Sequence, residues 1–312
     1  MENNVSSGHY DDEIDLKELF LVLWAGKFLI AVITAVFAIS SVLYALSIPN
    51  QYKATALLAP AQADGGGLSL ALGQLGGLAS LAGVSIGEGG SSEAQIAQEI
   101  MKSWSFAEAF IDDNDLAVEV YAAKGWSKGS GELKIDSDVY DTDENIWLLE
   151  DDETGELRSP TSWQLFERFS EMLSVSQDKL TGLVSVSIEY YSPQVAKEWL
   201  DRYIIAINKH MQDRQVAKVS SNISYLEAQI AKTSIAEMRE VFYTIIEEQT
   251  KNKMVAEASP DYAFVAVSPS MVPEEKSKPS RALICVLGTL FGGGMSVVIV
   301  LIRHYVRLRP GA

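Results

Sequence analysis

Residues 192–232 read SPQVAKEWLDRYIIAINKHMQDRQVAKVSSNISYLEAQIAK, and from Gln194 to Ser259 the chain has neither proline nor glycine for 66 residues. Ser192 supplies an N-cap and Pro193 a first-turn proline, so the sequence announces a helix start. Apolar residues recur at Leu200, Ile204, Ile207 and Met211, and again at Val216, Val219, Ile223, Leu226 and Ile230. The steps alternate between three and four, the spacing of a helix packed along its length. Thr233-Ser234 interrupts the pattern, and Ser234-x-x-Glu237 reads as a second capping box. A second seam follows at Ile235, Met238, Phe242, Ile245 and Gln249. The stretch therefore predicts one helix of about 39 residues and another of about 25, the first about 58 Å long. The second covers only part of the first seam, so neighbouring subunits are expected to cover the rest.

Outward from this stretch, the apolar residues gather in two uncharged blocks near the ends. Phe28–Ile48 and Ala282–Ile302 each hold 21 residues, twelve of them Leu, Ile, Val or Phe. At about −0.3 to −0.6 kcal/mol each at mid-helix, twelve such residues favour insertion by roughly 4–7 kcal/mol. Each block is long enough to cross a hydrocarbon core about 30 Å thick. The first is read as a span rather than a signal peptide. Asp11, Asp12, Glu13, Asp15 and Glu18 make its leader acidic, and its apolar core is too long. Two spans put both termini on one side. Arg303, His304, Arg307 and Arg309 after the second favour the cytoplasm, although Lys276, Lys278 and Arg281 flank its other end.

Residues 49–281 then form an external domain, compatible with the periplasm, with 36 acidic and 20 basic residues. Such a surface repels phosphate, which excludes nucleic-acid binding. The one cysteine, Cys285, lies in the second apolar block, so the external domain is expected to contain no disulfide. Gln51–Ala59 reads as a strand closed by Pro60. Ala63–Gly90 is rich in small residues; its uncharged part, Leu68–Ile86, is read as an apolar loop in preference to a third span. Ser92-x-x-Gln95 opens a helix carrying Ile96, Ile100, Trp104, Ala107 and Ile111. Thr161-x-x-Gln164 opens another. Short strands are expected at Leu133–Val139 and Ile146–Leu149, with a turn at Thr154-Gly155. Leu183–Tyr190 alternates as a half-buried strand, with Val184, Val186, Ile188 and Tyr190 on one face. Tyr262–Val267 is continuously apolar and reads as a central strand.

No catalytic, cofactor or metal set is legible. His9, His210 and His304 are scattered, and no phosphate-binding GxxxxGK[ST] occurs. Asp141-x-Asp143-x-Asn145 resembles the start of a calcium loop. However, Ile146 stands where the sharp turn needs glycine and Asp152 where a bidentate Glu is usual. The ten residues after Ile302 leave no room for a kinase or other output domain.

The ordered set is more informative than any one motif. It comprises Ile14-Asp15-Leu16 before a span, Tyr52-Lys53-Ala54 in a strand ending at Pro60, and Ser103 to Phe106. Ser192-Pro193-x-x-Ala196, Asn208, Tyr225-Leu226-Glu227, Ala263-Phe264-Val265, Pro273, Pro279 and a glycine-bearing second span follow. In this order it resembles the Wzz chain-length determinant family of polysaccharide co-polymerases. The resemblance implies an α+β fold with two transmembrane helices flanking a periplasmic α/β base and a long extended helix. It divides the chain into a cytoplasmic leader (1–27), a span (28–48), a periplasmic domain (49–281), a second span (282–302) and a cytoplasmic tail (303–312). Within the periplasmic domain the base takes 49–192 and 260–281, and the long helices 193–259. It also implies a non-catalytic inner-membrane protein without cofactor, forming ring-like homo-oligomers. Such a protein sets the modal length of O-antigen or a related glycan made by a Wzy-type polymerase on a lipid-linked glycan.

Candidate chain-length or assembly positions are Pro273 and Pro279, the close-approach pair Gly288 and Gly292, and the seam residues Leu200, Ile207, Met211, Val219 and Leu226. A capsule or exopolysaccharide export adaptor is the alternative, and a sensory ectodomain a more remote one.

Overall fold

The computed structural model describes residues 16–61, 89–151 and 154–308. The chain divides into two compact units, residues 1–49 with 278–312 and residues 50–277. The first unit is helical. Helices α1 (Leu16–Ala25) and α2 (Lys27–Ser47) meet at Gly26, and α9 (Arg281–Leu308) packs along α2. Lys27–Ser47 and Arg281–His304 are long and apolar enough to cross a membrane. These helices contain almost all of the two uncharged blocks read from the sequence.

The second unit is mixed. Its central sheet is four-stranded and wholly antiparallel, in the order β10-β1-β9-β8. The strands are β1 (Tyr52–Pro60), β8 (Leu173–Gln177), β9 (Val184–Tyr190) and β10 (Phe264–Ser268). In register, Ala54 faces Ile188, Ala56 faces Val186 and Leu58 faces Val184, and all six side chains are buried. A slip of one residue would turn that whole set to the opposite face, which fixes the pairing. Over this face lie α3 (Gly89–Met101), α4 (Trp104–Asp113), α6 (Ser162–Met172) and the first half of α7 (Pro193–Lys232).

Tyr203 of α7 is the hub of the core. Its ring meets Phe106 at 5.1 Å, Phe110 at 4.8 Å and Phe169 at 5.4 Å, edge-on or tilted, and its hydroxyl donates to the Met101 carbonyl. Such aromatic pairs add about 0.5–1.5 kcal/mol each beyond area burial. A small lobe between α4 and α6 holds α5 (Ala117–Ala122) and three two-stranded ribbons. They are β2–β3 (Ala123–Trp126, Leu133–Ile135), β4–β5 (Tyr140–Asp141, Ile146–Trp147) and β6–β7 (Leu149–Glu150, Leu157–Arg158).

The long helix begins as the sequence predicts. Ser192 accepts from the Val195 amide at 3.5 Å, Pro193 is the first helical residue, and the helix runs 40 residues in all, about 60 Å. Its partner α8 (Ala236–Glu257) runs beside the second half after the turn at Thr233–Ile235.

Several expectations need correction. Tyr262–Val267 gives β10 at the sheet's edge rather than its centre, because it bonds only to β1; Val265 and Val267 are exposed. The helix expected from Ser92 is two helices. The first starts at Gly89, and Ser103 restarts the second by accepting from Phe106 at 3.4 Å. Ser234 makes no cap; α8 follows Ile235 with no side-chain capping bond. The strand expected at Leu133–Val139 is three residues long, and Ile146–Leu149 is split between β5 and β6. By contrast the Thr161–Gln164 capping box forms with both of its bonds, and Gly155 takes φ +69° in the expected turn. The small-residue segment 63–90 lies outside the described residues except for Gly89 and Gly90, which open α3.

Candidate functional site

Three structural features contain the positions singled out from sequence. In the helical unit, α9 packs on α2 through glycine. A Cβ on Gly288 would lie 2.5 Å from the Ser41 Cβ, and one on Gly292 only 2.4 Å from the Phe37 Cβ. Neither distance is compatible with a side chain, so glycine is what permits the approach. Gly26 repeats the arrangement with Val300 at 2.6 Å. The three contacts ascend α2 as they descend α9, so the helices are antiparallel. Phe37 and Phe291 add an edge contact at 6.0 Å, and Arg281 Nε donates to the Ala45 carbonyl at 3.0 Å. That arginine supplies a donor to one of the otherwise unpaired carbonyls at the end of α2.

The second feature is the α7–α8 pair. Leu200, Ile207 and Met211 are buried inside this protomer's own core, against the sheet. Val219 is buried and Leu226 half-buried in the stretch flanked by α8. The first seam read from sequence is therefore the inward face of α7. The second is displaced: Phe242, Ile246, Gln249, Lys253 and Ala256 are the sheltered positions of α8, while Ile235, Met238 and Ile245 face outward. Tyr225, Val241, Tyr243, Met254 and Val255 are exposed as well, leaving apolar side chains uncovered along both helices.

The third feature is the chain's return from α8. Asn208 clamps it: its Oδ1 accepts from the Ala263 and Phe264 amides at 2.9 and 2.8 Å, and its Nδ2 donates to the Phe264 carbonyl at 2.9 Å. Gln212 donates to the Ala256 and Ser259 carbonyls at 2.9 and 3.1 Å, satisfying the end of α8. Beyond β10, Ser270 donates to Asp201, which Lys197 also meets at 2.5 Å, and the Ser277 amide donates to the Gln51 carbonyl at 2.8 Å. Pro273 is half-buried between these two anchors; Pro279 belongs to the helical unit. Sequence reading picked out the prolines and Asn208, but nothing in it gave the roles of Gln212, Ser270 and Asp201. Asp201 and Gln212, polar residues inside a helix, have no periodicity to betray their partners, and Ser270 lies in an irregular segment with none at all.

A few ionisable groups are shifted by their surroundings. Glu119 on α5 has its carboxyl pushed above the usual range by burial first, then by Glu198, with Arg202 opposing. Burial, followed by the Glu93 carboxylate, pushes the Tyr262 phenol up to about 12. Asp136 is held low by the hydrogen bond from Lys124 at 2.9 Å. Asp141 Oδ1 accepts from the Asp143 and Glu144 amides, so it closes its own turn. Among the described residues no three His, Cys, Asp or Glu side chains converge as a metal site would require.

Fold and surfaces together define a class: an α+β unit with a long helical pair, joined to an antiparallel pair of helices each able to cross a membrane. Residues 12–114 match the family model described as Wzz, chain length determinant protein, which bears out the resemblance read from the sequence over that third of the chain. Three solved structures are similar to the chain. A full-length bacterial polysaccharide co-polymerase is 15% identical over 96% of this chain and 100% of its own, with a TM-score of 0.41. A fragment of WzzB, a polysaccharide co-polymerase from Salmonella Typhimurium, is 12% identical over 73% of this chain and 100% of its own, TM-score 0.32. An A107P mutant of the Shigella flexneri lipopolysaccharide O-antigen chain-length regulator is 10% identical over 73% and 100%, TM-score 0.21. No curated protein matches.

Proposed function

We propose that this protein is a non-catalytic co-polymerase that sets the modal chain length of O-antigen or a related surface glycan. The observation that carries this reading is the match of residues 12–114 to the chain length determinant family. In this reading α2 and α9 hold the protein in the bacterial inner membrane with both termini in the cytoplasm, and residues 50–277 lie in the periplasm beside a Wzy-type polymerase acting on a lipid-linked glycan. The protein works as a ring-like homo-oligomer. Support comes from the apolar side chains that one protomer leaves exposed on α7, α8 and β10. Pro273, Pro279, Gly288, Gly292 and the α7 positions Leu200, Ile207, Met211, Val219 and Leu226 then act through the geometry they impose on each protomer.

The test is the lipopolysaccharide ladder of a strain lacking its own regulator, with and without this chain. A change from a steadily falling ladder to a cluster of lengths is the expected result. An unchanged ladder, with the protein present in the membrane, rejects the O-antigen reading and favours an export adaptor for another polysaccharide.

A further inference from the structure

We infer that the end of the helical unit bearing both termini holds an anionic phospholipid in a groove between α1, α2 and α9. The groove is lined by Leu21, Ala25, Phe28 and Val300, and at its mouth by Arg303 and His304. Gly26 also lines it, where the missing side chain lets Val300 approach. The lining is thus largely apolar, with two nitrogen-bearing side chains among it. A further cation besides Arg303 stands next to it. Lys27 Nζ lies 4.7 Å from the Trp24 ring centre and 5.6 Å from that of Phe28, which lines the groove.

Charge selects the occupant. Among the described residues none of Lys27, Arg303 and His304 is ion-paired with a carboxylate. Arg303 follows directly on the uncharged block ending at Ile302, so its guanidinium stands at head-group depth once α9 spans the bilayer. Trp24, exposed at the same end, fits the belt of aromatic residues at that depth. A phosphodiester accepts two parallel bonds from a guanidinium, and basic pockets between spanning helices select anionic head groups. A zwitterionic lipid would bring its own cation against Arg303 and Lys27. The inference rests on α2 and α9 being membrane spans and is independent of any role in glycan length.

The test is native mass spectrometry of the full chain in mild detergent, titrated with phosphatidylglycerol or phosphatidylcholine of the same acyl chains. Phosphatidylglycerol is expected to bind one per protomer and more tightly than phosphatidylcholine. Arg303→Gln with His304→Gln should weaken it roughly five-fold, the worth of the Arg303 charge. Arg303→Lys should retain most of the preference, and Lys276→Gln, which removes a cation from the other flank, should leave it unchanged. Ala25→Phe, filling the groove, should weaken both lipids, with circular dichroism confirming the fold. Equal binding of the two lipids, or no effect of the Arg303 and His304 changes, would overturn the inference. Displacement of the lipid by equimolar inorganic phosphate would also do so, since that marks a phosphate pocket. So would an Ala25→Phe variant that loses oligomer mass while keeping its lipid, since a helix of a second copy would then fill the groove.

Discussion

At the residue scale the most consequential side chain is Asn208. It is buried, and one amide group satisfies two N–H groups and one carbonyl of the entering strand β10. Asn208→Ala leaves those three backbone groups unpaired at about 1–3 kcal/mol each, partly relieved by water. A loss of about 3–5 kcal/mol is expected in chemical unfolding of the full chain in detergent, whereas an exposed neighbour such as Lys209 changed to Ala should cost well under 1 kcal/mol. Glu119 offers a prediction in pH. Its carboxyl is raised in the fold by burial and by Glu198, so the folded protein holds that proton to higher pH than the unfolded chain does. Its contribution is complete below the ordinary value of 4.5 and is lost as pH rises through the folded value. Glu119→Gln should therefore raise the unfolding temperature at neutral pH, and the difference from wild type should vanish in acid. A gap that persists unchanged below the carboxyl range would refute the assignment. Asn208 shows what sequence reading could and could not reach: its position was recognisable, but its partners lie more than 50 residues away.

At the element scale even the local signals divide: the helix starts expected at Ser192 and Thr161 form, whereas those expected at Ser92 and Ser234 fall elsewhere. The start of α7 and the Thr161–Gln164 box follow from one short motif each, so the chain itself dictates them. The displaced seam of α8 is different. Ile235, Met238 and Ile245 keep helical spacing as well as Phe242 and Ile246 do, and only the angle at which α8 leaves the turn decides which row meets α7. Periodicity gives a face, not a partner. The same holds for β10, whose continuous apolar run suggests cover on both faces although every residue after Phe264 is exposed in the single protomer. The glycines of α9 are the reverse case, since Gly288 and Gly292 suggested a close approach and α2 supplies the other helix. Gly292→Ala should separate the pair or force Phe37 aside, costing about 1–3 kcal/mol. Phe37→Ala in the same chain should restore part of it. Measuring both single variants and the double variant isolates the coupling, and simple additivity would mean that Phe37 is not what Gly292 accommodates.

At the scale of the whole molecule the question is what the exposed apolar residues are for. A surface helix buries one stripe and shows polar residues elsewhere. Here α8 shelters Phe242 and Ile246 against α7 while Val241, Tyr243, Met254 and Val255 remain exposed beside them. A helix apolar on two sides is expected in an assembly, where a neighbour covers the second side. The two sides can be separated by substitution. Val219→Asp places a charge in the buried inward row and should unfold the α7–α8 pair, with loss of helical circular dichroism. Tyr243→Glu with Met254→Glu alters only the outward row, where Tyr243 is 60% and Met254 64% exposed. Helix content and unfolding temperature of the protomer should then stay close to wild type, while mass photometry in mild detergent shows the oligomer shifted to smaller species. If length control needs the assembled ring, the same double variant should return the glycan ladder toward its unregulated decline. Smaller species with an intact clustered ladder would mean that, on the proposed function, a single protomer is sufficient. An undiminished oligomer would move the interface from α8 to the exposed edge of β10, where Val265 and Val267 are the next residues to charge.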